Sequence, residues 1–137
     1  DRASAIRNEC RVCHADTSMA GHGGAMVVRG NISESLSCES CHMPYATKNV
    51  LMAAADAAGS AGRIGDVRSH VFRIDVRPQD FLAMFSADGT EVVTDGAGRA
   101  AVTVDFVCLR CHNGTGNVFE LTVDRAAEIA GRIHELP

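Results

Sequence analysis

Ile6, Cys10 and Cys13 fall on one helical face behind Ser4, a suitable N-cap, so the pattern predicts a short helix at the start of the chain. Gly21, Gly23 and Gly24 then interrupt any periodicity and place His22 in an adaptable loop. The run NVLMAAADAA, residues 49–58, predicts a helix with Gly59 as its stop. Pro78 is expected to open a further short helix that turns Phe81, Leu82, Met84 and Phe85 inward and ends at SADG. Residues 91–94 and 101–107 flank DGAG as a β-hairpin would. Val102, Val104 and Phe106 then share one face, with Thr103 and Asp105 on the other. The free edge of that second strand is open to pairing with another chain. A last helix is expected over residues 122–134, capped by Thr122, with an apolar stripe of Val123, Ala126, Ala127, Ala130 and Ile133. Gly131 weakens it by about 1 kcal/mol relative to alanine.

Composition limits what these elements can build. A chain of 137 residues makes one ordinary domain, but no Trp, one Tyr and five Phe are a thin aromatic supply for a core made of protein alone. The formal net charge of −4 disfavours nucleic acid as a partner. No run of about 18 apolar residues is present, so no membrane-spanning helix is expected.

The chemistry lies in a repeat. CxxCH occurs as CRVCH at Cys10, Cys13 and His14, as CESCH at Cys38, Cys41 and His42, and as CLRCH at Cys108, Cys111 and His112, which uses every cysteine. In this spacing two thiols add to the vinyl groups of one haem, and the next residue turns its imidazole onto the iron. Zinc built from CxxC pairs, dithiol redox motifs and a disulfide framework are the alternatives, and none requires the histidine. Chance would place a histidine after all three pairs with a probability of roughly one in ten thousand, which argues for haem.

With these motifs, and with the strings CHMPYA at residues 41–46 and GDVRSHVFRI at residues 65–74, the chain resembles the multihaem c-type cytochromes. The resemblance implies a fold of short helices and loops wrapped round three haems, with one small β-hairpin. It implies three covalently attached haem c groups held by Cys10, Cys13, Cys38, Cys41, Cys108 and Cys111. Residues 1–137 then form a single trihaem domain, with two haems in 1–48, an insertion over 49–107, and the third haem and final helix in 108–137. Because such haem is attached after export, the chain is expected to be a mature periplasmic or extracellular product that has lost its leader.

His14, His42 and His112 are the proximal iron ligands by position. His22, His70 and His134 are left over, one for the far side of each iron. Met19 and Met26 flank His22 and are the competing distal ligands, whereas Met43 follows a proximal histidine directly and Met52 suits core packing. A short connection from His14 favours placing His22 on another haem, such as the second, with His70 and His134 serving the remaining two in either order. Arg63, Arg68, Arg73 and Arg77 are candidates for pairing with haem propionates or for ordinary solvation. Three oxidised haems would add about −3 to the charge, favouring redox partners with basic docking patches.

Irons with two histidine ligands move electrons and have no place for substrate, so an exported electron carrier is expected. The family includes filament-forming members, which extends the expectation to copies of this chain joined through a donated histidine, His22 being the best placed. A multihaem oxyanion reductase is the alternative if one iron keeps an open side.

Overall fold

The computed structural model describes residues 10, 14–15, 17–19, 21–29, 32–47, 67–88 and 91–135. Cys13, the helices expected over the first motif and over residues 49–58, Met52 and Arg63 lie outside the described residues. The described elements are β1 (Met26–Arg29), β2 (Ile32–Ser35), α1 (Cys38–His42), β3 (Tyr45–Thr47), β4 (Val67–Arg68), β5 (Ile74–Asp75), a 3-10 turn (Phe81–Met84), β6 (Val102–Thr103), α2 (Val104–Leu109) and α3 (Val123–Ala130). No helix among the described residues is long and apolar enough to cross a membrane.

Among the described residues strands pair only in twos. β1 and β2 form an antiparallel hairpin with Met26 opposite Ser35, an element that the pattern of residues 26–35 had not predicted. β3 pairs antiparallel with β4, so the segment after the second motif meets the GDVRSHVFRI string at Val67 and Arg68. β5 pairs in parallel with β6.

The hairpin expected from residues 91–94 and 101–107 is largely replaced. Isolated antiparallel bridges join Phe85 to Val92 and Thr94 to Ala100, but the strand at Val102 ends after Thr103 and the chain turns into α2. Thr103 is the switch: its hydroxyl accepts the Phe106 N–H at 3.3 Å, an N-cap that starts a helix. From there Val104, Phe106 and Val107 are buried at helical spacing, and the buried Asp105 carboxylate accepts the Phe81 N–H at 3.0 Å. The alternating pattern therefore fits a strand locally, while tertiary burial on more than one side selects a helix that continues into CLRCH.

Phe81–Met84 forms a 3-10 turn rather than an α-helix, capped by Asp80, whose side chain accepts the Leu82 N–H at 2.8 Å. Met84 is buried there but Leu82 points outward. The final helix starts where expected, with the Thr122 hydroxyl accepting the Arg125 N–H at 3.3 Å. It ends earlier, at Ala130, with Gly131 as its C-cap, and turns carry the chain on to His134.

The core is small. Met84, Val102, Phe106 and Val107 form a buried cluster against which Cys41, Val71, Ile74, Phe81, Phe85 and Cys108 pack. Cysteines of the second and third motifs thus share one apolar centre, and α2 packs on α3.

Asp75 anchors the turn after β5. Its carboxylate accepts from the Arg77 side chain and backbone and from Gln79 Nε2, and these bonds, led by that of the guanidinium, hold its pKa down at about 2 against an ordinary 3.8. A carboxyl depressed on folding stabilises the fold above its unfolded value and loses that contribution as pH falls through its folded value. Asp75→Asn is therefore expected to cost about 1 kcal/mol at neutral pH. The gap from wild type should close between about pH 4 and pH 2, as read in thermal unfolding across that range.

Candidate functional site

All six histidines are described, and four of them meet in two pairs. The rings of His42 and His134 have centroids 5.8 Å apart with planes inclined by 14°. Those of His22 and His112 are 6.1 Å apart and inclined by 70°. Two imidazoles on opposite sides of one metal ion, each bound at about 2 Å through Nε2, would have centroids about 6 Å apart, a separation that both pairs match, His42 and His134 as a stacked pair and His22 and His112 edge to face.

The other ring nitrogen is engaged in every case. His42 Nδ1 lies 2.9 Å from the Phe72 carbonyl, His112 Nδ1 3.0 Å from that of Phe119, His134 Nδ1 2.6 Å from that of Ser18, and His22 Nδ1 3.2 Å from that of Met19. A carbonyl accepts only, so each Nδ1 must donate, and in the neutral imidazole Nε2 then carries the lone pair that a metal takes. Burial pushes the His112 pKa down, which further favours its neutral, ligating form.

Local structure explains who meets whom. His42 closes α1, whose N-cap is Ser37, and the bond to Phe72 ties it to the segment after β4. His112 lies in the turn that follows α2, with its N–H bonded to the Cys108 carbonyl at 2.9 Å. Asn117, just beyond it, docks on the outer edge of β1: its side chain accepts the Val28 N–H and donates to the Met26 carbonyl, both at 3.0 Å. His22 sits in the turn that leads into β1, with Gly21 and Gly24 at φ +78° and +71°, values that L side chains rarely adopt. The Asn117 clamp therefore brings the His22 loop to His112, and His22 stands beside the third motif rather than the second. The bond from His134 to Ser18 and the packing of α3 on α2 hold His134 over His42.

His14 and His70 are exposed, and among the described residues neither ring pairs with another imidazole. Of the two methionines that flank His22, Met19 has its Sδ 4.0 Å from Cys38 Sγ, and Met26 is half exposed on β1.

Described cysteines of the three motifs lie near one another: Cys38 and Glu39 are close to the Cys10 thiol, and Cys41 and Cys108 pack against one buried cluster, which places the second motif near both others. The five described cysteines form no disulfide. Burial pushes the Cys41 thiol up and that of Cys108 to about 12, which keeps both neutral at pH 7. No group of three or more His, Cys, Asp or Glu side chains among the described residues is arranged to hold a bare metal ion; the imidazoles come in twos.

Large apolar side chains stand open beside these pairs. Phe119 is 68% exposed although its ring lies 4.5 Å from that of His112, and Phe72, whose backbone holds His42, is 56% exposed. Three of the arginines considered for anionic groups have protein partners. Arg68 donates to the Glu39 and Met43 carbonyls and lies over the Tyr45 ring, Arg73 pairs with Asp95, and Arg77 with Asp75. Sequence reasoning missed Glu34, Ser40 and Arg110, which join the second motif to the third. An arginine inside CxxCH reads the same whether it is buried or solvated, so the sequence carried no signal for the joint.

No protein-family model, no curated protein and no solved structure matches the chain.

Proposed function

We propose that the chain is an exported trihaem c-type cytochrome that transfers electrons. The observation that carries this reading is the meeting of His42 with His134 and of His22 with His112 at an axial-ligand separation, each with Nδ1 committed to a carbonyl. Haem c would supply the redox-active iron and the planar ligand set. Cys38 and Cys41 would anchor the haem between His42 and His134, Cys108 and Cys111 the haem between His112 and His22, and Cys10 and Cys13 a third beside His14. Phe72 and Phe119 would lie against the macrocycles, which accounts for large apolar side chains left open in the protein alone. The nearness of Cys10 to Cys38 and the shared packing of Cys41 and Cys108 support an electron path running first, second, third, with the middle haem as relay. Axial histidine pairs close two irons to substrate, so electron transfer rather than bond chemistry is the activity expected of them. Redox proteins are the proposed donor and acceptor.

A second, polymeric reading is favoured by one observation, that His14 and His70 are both exposed and unpaired with other imidazoles among the described residues. In a polymer His70 of one copy would complete the iron carried by His14 of another, a heterologous contact that propagates unless it closes into a ring. If no such copy binds, the same iron keeps one side open and the oxyanion reductase becomes the reading for that haem.

The test is the protein purified from a host able to attach haem. Three haems per chain are expected in the alkaline pyridine assay. Carbon monoxide added after reduction should alter no haem in filaments and one haem per chain in monomers. A haem-free chain, or carbon monoxide reaching all three irons, would overturn the axial-pair reading.

A further inference from the structure

A single carboxylate joins two of the attachment motifs. Glu34, on β2, accepts the Ser40 hydroxyl at 3.0 Å through Oε1 and the Arg110 guanidinium at 3.2 Å through Oε2. Ser40 is the residue before the second cysteine of CESCH, and Arg110 the residue before the second cysteine of CLRCH. Both are almost fully buried, at 3% and 4% exposure. Arg68 completes the joint: its Nη2 lies 3.9 Å from Glu34 Oε1, while its Nη1 donates to the Glu39 and Met43 carbonyls at 2.9 and 3.1 Å, bracketing the turn that carries Cys41 and His42.

We propose that Glu34 is a positioning residue that clasps the second and third haem-attachment segments together and, through its charge, sets the reduction potentials of the haems held there. This rests on the haem reading above. The arrangement is too buried and too fully bonded for a solvated ion pair, whose worth would be small. The Glu34 carboxylate offsets the positive charge of the buried Arg110 and of Arg68 at the junction, and fields in such low-dielectric surroundings act strongly on neighbouring charged centres. Reduction removes one positive charge from an iron, so a more positive junction favours the reduced state.

The clasp has a signature that a purely structural role lacks. Glu34→Gln keeps the shape and removes the negative charge, leaving Arg110 uncompensated, and the potentials of the second and third haems should rise. Arg110→Gln removes a positive charge, and the same two potentials should fall. The double variant should return toward wild type, and Glu34→Asp, which keeps the charge, should stay near it. The potential of the first haem should hardly move in any of them. Spectroelectrochemical titration of each holoprotein reads these shifts, with the pyridine assay confirming three haems per chain beforehand. Shifts in the same direction for Glu34→Gln and Arg110→Gln, or none in either, would overturn the proposal and leave the haem reading standing. A wild-type chain that carries no haem would instead remove the reading on which it rests.

Discussion

Replacing His134 with alanine is expected to open one iron per chain to carbon monoxide. His134 lies beyond the end of α3, and in the proposed holoprotein its Nε2 would oppose that of His42 across the second haem. Alanine offers no ligand, and among the described residues no other imidazole lies beside that of His42 to replace it. The reduced variant should therefore show a carbon monoxide-induced Soret change larger than that of wild type by one haem equivalent. His70→Ala should leave both in-chain pairs as they are. The variant also loses the bond from His134 to the Ser18 carbonyl, so residues 17–19 should loosen as well. An unchanged carbon monoxide response in His134→Ala would remove His134 from the ligand set.

The chain produced without haem attachment is expected to lack a cooperative fold. Its fully buried apolar side chains among the described residues are few and mostly small, with Phe106 as the one aromatic among them. Phe72, Leu82 and Phe119 remain more than half exposed in the protein alone. Burying a side chain of this size contributes about 1.5–3 kcal/mol. Without a macrocycle to cover Phe72 and Phe119, that contribution is absent while the backbone must still be ordered. Strands of two to four residues in isolated pairs supply little on their own. Far-ultraviolet circular dichroism with heating should show weak, non-cooperative change and strong binding of a hydrophobic dye. A sharp unfolding transition in the haem-free chain would mean that the protein core suffices, and would weaken the case for haem as its missing centre.

The hairpin at residues 91–107 and the helix that replaced its second half show where pattern stops being informative. Val102, Val104 and Phe106 alternate as a strand should, yet Val104 and Val107 also lie three apart, as on a helix. Short apolar runs fit both periods. What decided was burial of Asp105 against the Phe81 N–H, a contact with chain more than twenty residues away, joined to the local Thr103 cap. The final helix was legible because its cap, stripe and stop are all local, and Gly131 marked its end better than the apolar Ile133 did.

The sequence by itself determined the three CxxCH motifs, the complete use of the cysteines in them, the tally of six histidines and the poverty of aromatic residues, since each is a property of residue type and spacing. Only the tertiary structure decided which histidines meet. His22 reaches His112 because Asn117 clamps the loop after the third motif to the edge of β1, and His134 reaches His42 because α3 packs on α2 and Ser18 accepts its Nδ1–H. The joining of two motifs by Glu34 was likewise invisible, because Glu34 and Arg110 are separated by 76 residues and nothing in their local sequence distinguishes them from solvated charges. Local chemistry is written in spacing along the chain, whereas pairing across the chain depends on which surfaces bury each other.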